Sequence, residues 1–132
     1  MAEVILKEKR RKNTINVSSA GIIDMDGSPA DSTACEILRE HGFVIDEHSS
    51  RLLTEEMVSD ADMIIVMENV HRKIIVDQYP ESEYKIHLLK SFSHDYNEQH
   101  GDIKDPYKLS LFQYRLCFSE IYMAIDGLIK CI

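Results

Sequence analysis

The residues with the most chemical potential in this sequence are the run Asp105-Pro106-Tyr107, three cysteines and a scatter of histidines. Proline restricts the residue before it to extended conformations, so Asp105 is biased to project its carboxylate from a loop, where proton transfer is within its range. Taken alone, an Asp-Pro pair marks a turn. Cys35, Cys117 and Cys131 are too few and too scattered for a disulfide framework, which predicts free thiols and a cytoplasmic home. His41, His71, His87, His94 and His100 lack the clustered spacing of a zinc site, so neither a metal nor another cofactor is expected.

These residues must be positioned by one domain, since 132 residues are enough to bury a single stable core. The net charge of −8 argues against nucleic acid and anionic membranes as partners. No segment has the apolar length to cross a bilayer. The start, Met1-Ala2-Glu3-Val4-Ile5-Leu6, lacks the form of a signal peptide. One basic run, Lys7, Lys9, Arg10, Arg11 and Lys12, reads best as the C-terminal turn of a solvated helix, where the helix dipole favours cations.

The periodicities predict helices alternating with strands. Met1 to Lys12 is helical from its first residue, with no capping residue ahead of it, and Ile15 to Ser18 alternates as a short strand closed by Ser19-Ala20-Gly21. A loop follows at Gly27, Ser28 and Pro29. Asp31 or Ser32 caps the next helix, which stops at Gly42, and Thr54-Glu55-Glu56 opens another. Met63 to Met67 is continuously apolar, as a strand buried on both faces of a parallel sheet must be. Asn69 to Gln78 is a helix stopped near Pro80, Lys85 to Leu89 a strand, and His94 to Lys108 a polar loop. Ser110 caps a long helix whose stripe of Tyr114, Cys117, Phe118, Ile121, Ile125 and Leu128 faces the core. The fold class is therefore α/β with a parallel sheet.

Several segments in this order resemble the low-molecular-weight protein tyrosine phosphatases. They are Met1-Ala2-Glu3, Val17-Ser18-Ser19-Ala20-Gly21, and Pro29-Ala30-Asp31 leading to Ala34, Leu38, His41-Gly42, His48, Arg51 and Leu52-Leu53-Thr54. Ala61-Asp62-Met63-Ile64-Ile65-Val66-Met67 with His71, and Asp102-Ile103-Lys104-Asp105-Pro106-Tyr107, complete the set. The resemblance covers the chain almost from end to end. It implies a three-layer α/β/α fold, with Asp105 as the acid that protonates the leaving phenolate and Tyr107 as the aromatic at the substrate mouth. Glu3, Ser19 and His48 match positions that support the family's phosphate loop from behind.

The same resemblance implies what this chain does not carry. In the family a first strand and a Cys-x-x-x-x-x-Arg-Ser-Pro loop precede the residues matching Met1, and they supply the nucleophile and the phosphate-gripping arginine. Here the sixth residue after Cys35 is His41 and after Cys117 is Met123, while Cys131 lies next to the last residue, so no cysteine fits. The expectation is a phosphatase domain with its first strand missing and no turnover of its own. Its ligands would be phosphorylated proteins or small aryl phosphates. The alternative is a non-catalytic binding protein of the same fold. Related arsenate reductases relay oxidation through cysteines beyond the third strand, and Glu68 to Gln78 has none. Without the first strand, either the Ile15 strand shifts to pair with the Met63 strand or a second copy fills the gap in a homodimer.

Overall fold

The computed structural model describes residues 1–9, 15–22, 30–45 and 50–132. Its elements in order are α1 (Ala2–Lys9), α2 (Ser32–Glu40), α3 (Glu55–Asp60), β1 (Ile64–Val66), α4 (Asn69–Gln78), β2 (Ile86–Leu88) and α5 (Leu111–Ile129). Short 3₁₀ turns occupy Pro80–Lys85, Leu89–Phe92 and Glu98–His100. None of the three is anticipated by the periodicity, because so short a turn has no repeating apolar face to read.

β1 and β2 pair in parallel with Ile64 opposite Ile86, Ile65 opposite His87 and Val66 opposite Leu88. Alternation along β1 sends its side chains to two different cores. Ile64 and Val66 join Ile75 of α4 and Ile86 on one face. Ile65 and Met67 pack on the other against a larger core built from Ile5 of α1, Ile37 and Leu38 of α2, and the inner face of α5. The unbroken apolar run is thus explained by helices on both faces of the sheet, the α/β arrangement expected.

Helix ends follow local chemistry. Asp31 accepts the Ala34 N–H at 3.2 Å and starts α2, and Gly42 follows α2 at φ +83°, a left-handed conformation that glycine adopts without a Cβ penalty. Thr54 accepts the Met57 N–H at 3.2 Å and opens α3. The far end of α3 is closed from outside by buried Lys85, whose Nζ donates to the Val58 and Ala61 carbonyls at 2.6 and 2.7 Å. A cation there satisfies the orphan acceptors and complements the negative end of the helix.

The expected strand at Ile15 to Ser18 does not form. Among the described residues β1 is paired only with β2, and the 15–20 segment has no ladder partner, so its alternating pattern finds nothing to pair with. Only Gly21 is bridged, in parallel, to Leu52, with Gly21 N–H donating to the Arg51 carbonyl at 2.7 Å and Leu53 N–H to the Gly21 carbonyl at 2.8 Å. The Ile15 segment therefore has not shifted onto β1. The described part of the basic run is committed to pairs within the chain: Lys7 to Glu3 one turn away at 2.9 Å, and Lys9 to Asp126 of α5 with its ammonium 3.6 Å over the Tyr122 ring. Arg10, Arg11, Lys12 and the Gly27-Ser28-Pro29 loop lie outside the described residues.

Candidate active site

The Asp105 loop leaves the 3₁₀ turn at Glu98–His100 and runs to Ser110, which caps α5 by accepting the Gln113 N–H at 3.3 Å. Its sequence alternates between anchors and exposed chemistry. Gly101, Ile103 and Pro106 are buried, and Asp102, Asp105 and Tyr107 face solvent. Ile103 N–H donates to the Met67 carbonyl at 2.8 Å, which docks the loop at the carboxyl end of β1. The Asp105 carboxylate accepts the Tyr107 N–H at 3.0 Å, an Asx turn that fixes the acid and the aromatic relative to each other. Leu109 N–H then closes onto the Pro106 carbonyl at 2.8 Å, and Lys108 adopts φ +64° to complete the turn. Tyr107 is 56% exposed, so its ring is offered to solvent and not used as a core anchor.

Glu3 and Ser19 come together, the Ser19 hydroxyl donating to the Glu3 carboxylate across 16 residues of sequence. Arg51 reaches the Ser19 carbonyl at 3.4 Å, so a polar cluster forms where α1 meets the segment before Gly21. His48 lies outside the described residues. Beside the loop, on the Asp102 side, is an open polar cleft of about 310 Å³ lined in part by Lys90, Lys104 and Glu120, the last paired to Lys90 at 3.0 Å. Neither Asp105 nor Tyr107 lines it. Among the described residues no group of three or more His, Cys, Asp or Glu is arranged to hold a metal.

Burial, with Glu120 and Asp105 adding negative charge nearby, pushes the Cys117 thiol up to about 11. A thiol held protonated at neutral pH is a packing group and not a nucleophile. The stripe on α5 also contains a residue whose polar role is invisible in its spacing. Tyr114 is 5% exposed, and the Asp31 carboxylate and the Lys108 backbone lie near its hydroxyl. Burial first, then Asp31, pushes its pKa up to about 12. The one hydroxyl in that stripe was the available signal, since a buried hydroxyl needs a partner.

The loop carrying Asp105 and Tyr107 is docked at the carboxyl end of a parallel strand, the end where α/β sheets place ligands. The chain belongs to the low molecular weight phosphotyrosine protein phosphatase family, whose model matches residues 1–132. It is 31% identical over 127 residues to a probable low molecular weight protein-tyrosine-phosphatase of Ralstonia nicotianae, covering 96% of this chain and 82% of that one. It is also 31% identical over 132 residues to a protein-arginine-phosphatase of Bacillus subtilis, covering 98% and 85%. The crystal structure of the low molecular weight protein tyrosine phosphatase from T. tengcongensis superposes with a TM-score of 0.89 at 34% identity, covering 99% of this chain and 88% of that one.

Proposed function

We propose that this domain serves phosphomonoester hydrolysis on phosphorylated proteins, with Asp105 as the leaving-group acid and Tyr107 as the aromatic wall of the substrate mouth. The observation that carries the reading is the docked loop: Ile103 and Pro106 are buried, while Asp105 and Tyr107 are exposed and joined by one hydrogen bond. Glu3, Ser19 and His48 are the residues proposed to brace a phosphate-binding loop, and the Glu3–Ser19 bond supports the first two. In such a loop a thiolate attacks phosphorus, backbone N–H groups and an arginine hold the phosphoryl oxygens, and Asp105 protonates the departing oxygen. The relatives carry both tyrosine-phosphatase and arginine-phosphatase names, so both phosphotyrosine and phosphoarginine proteins are the substrates to assay. A reducing cytoplasm suits the three free thiols.

No cysteine of the 132 residues is followed six places on by arginine, so this chain by itself is proposed to be catalytically silent. Purified protein is expected not to hydrolyse p-nitrophenyl phosphate, and turnover that survives purification but is lost in Asp105→Ala overturns that. Adding a family-type strand and Cys-x-x-x-x-x-Arg loop ahead of Met1 is expected to create activity, which Asp105→Ala then lowers by roughly 10²–10⁴-fold. A correctly folded chain that stays silent after this addition supports the second reading, a binding protein of the same fold, which the absence of a Cys-x-x-x-x-x-Arg run among these 132 residues favours. The β1 edge away from β2 has no ladder partner among the described residues, and we propose that a second copy covers it in a homodimer. Light scattering over a concentration series checks this, and a monomer with fast amide exchange at Ile64 to Val66 overturns it.

A further inference from the structure

Helix α4 begins without a cap of its own. Glu68 stands at its N-cap position in an extended conformation and makes no side-chain capping bond. Helix N-termini present N–H donors that a neighbouring Ser, Thr, Asp or Asn side chain normally satisfies. Here the acceptor comes from 33 residues away: Asp102 Oδ1 receives the Asn69 N–H at 2.8 Å. The carboxylate also sits at the positive end of a ten-residue helix, where negative charge is favoured. One residue further on, Ile103 N–H donates back to the Met67 carbonyl at 2.8 Å, and the Ile103 side chain is 2% exposed. Two hydrogen bonds of opposite sense therefore join residues 102 and 103 to residues 69 and 67. A single bond would leave the loop free to pivot about it, whereas two with an apolar plug between the elements fix both its distance and its rotation.

We propose that Asp102 is the positioning residue of the acid loop, clasping it to the junction of β1 and α4 so that Asp105, three residues later, is held at one place and angle. The proposal rests on the reading of Asp105 as the leaving-group acid. Asp102 touches no reacting atom in this scheme. It acts through the backbone of Ile103 to Pro106, and the Asx turn from Asp105 to Tyr107 carries the constraint to the aromatic. Proton transfer demands hydrogen-bond reach, so a small swing of this loop is enough to lose the acid.

The test is residue-specific amide hydrogen exchange on the folded 132-residue chain. Asp102→Ala is expected to speed exchange at Asn69, Ile103 and Tyr107 by about tenfold, the loss of one good cap. Asp102→Asn, which keeps an oxygen acceptor, is expected to restore most of that protection. Asn69→Pro gives a second route, because proline is welcome at the first helical position and removes the donor while leaving Asp102 in place. It should loosen Ile103 and Tyr107 to a similar degree. Unchanged exchange at Tyr107 in both Asp102→Ala and Asn69→Pro overturns the proposal. So does equal acceleration at Ile121 and Ile125 of α5, which marks general destabilisation, and so does a failure of Asp102→Asn to recover protection. The acid assignment fails separately, through unchanged turnover on Asp105→Ala in the chain given the phosphate loop. The exchange pattern does not depend on that result.

Discussion

Helix α5 and the loop that precedes it meet at Ser110 and are held in opposite ways. α5 is fixed by seven buried side chains from Tyr114 to Leu128, packed on α1, α2 and the Leu89–Phe92 turn. The loop from Asp102 to Lys108 has two buried residues, Ile103 and Pro106, and is otherwise held by individual hydrogen bonds. Burial spreads stability over a large area, so the helix tolerates the loss of any one polar contact. The loop concentrates it in a few bonds, which is what allows an acid and an aromatic ring to stand in solvent while staying in place. The helix and the loop proposed to carry the acid thus differ in the kind of interaction that fixes them.

The largest effect that tests this contrast comes from the helix. Ile125 is 1% exposed, and Ile125→Ala is expected to cost about 2–5 kcal/mol, from lost transfer energy and the cavity left behind. Urea denaturation measures it, and a loss confined to the loop's amide exchange, with global stability unchanged, would break the contrast. A somewhat smaller loss is expected at Gly127. A Cβ built there would stand 1.8 Å from the Phe92 carbonyl oxygen, which is backbone and cannot swing aside. Gly127→Ala therefore has to lift the helix from the Leu89–Phe92 turn, at about 1–3 kcal/mol of overpacking. In an exposed helix the same change would stabilise by about 1 kcal/mol, so the sign of the measured shift decides whether the close approach exists. At the boundary itself, Ser110→Ala removes the cap of α5 and is expected to cost about 1 kcal/mol. Its amide-exchange signature should fall on Leu111 to Tyr114 and leave Ile103 untouched, since the loop's clasp lies at its other end.

The same division explains what could be read from the chain. The α5 stripe, the caps at Asp31, Thr54 and Ser110, the stop at Gly42 and the span of α4 from Asn69 to Gln78 all match the sequence reading, because periodicity and capping are local signals. The Ile15 to Ser18 pattern misled, because alternation reports a capacity to pair and says nothing about whether a partner is present. At the candidate site, a motif singled out Asp105 and Tyr107, which stand exposed on a loop, and a resemblance singled out Glu3 and Ser19, which are in contact. The roles of Asp102, Lys85 and Tyr114 were not legible. Each depends on groups far away in sequence: Asp102 bonds the Asn69 N–H, Lys85 the Val58 and Ala61 carbonyls, and Tyr114 lies near the Asp31 carboxylate. The one available hint for Asp102 was negative, a helix start at Asn69 with glutamate where a capping side chain belongs.

Tyr114 belongs to both regions and gives the finest test of the comparison. Its ring is part of the α5 stripe, and its hydroxyl lies near the Asp31 carboxylate that caps α2 and the Lys108 backbone at the end of the loop. Tyr114→Phe keeps the ring and removes only the hydroxyl, so at neutral pH the expected loss is about 0.5–1.5 kcal/mol. The pH dependence reports on the hydroxyl itself. The hydroxyl holds its proton up to about pH 12 in the folded chain, against 10.0 for a free tyrosine, because burial and then Asp31 disfavour the phenolate. Below pH 10 both folded and unfolded chains are protonated, and the hydroxyl contributes in full. Between pH 10 and about 12 the unfolded chain releases this proton while the folded chain retains it, so stability falls as pH rises. Cys117, raised to about 11 from 9.0, adds a similar fall that starts earlier, but both proteins carry it and it cancels in their difference. Urea midpoints of the parent and Tyr114→Phe, measured from pH 8 upward, should therefore converge above pH 10. Parallel curves across that range would show that the hydroxyl is not held in a buried setting beside Asp31, and would remove Tyr114 as a link between α5 and the loop.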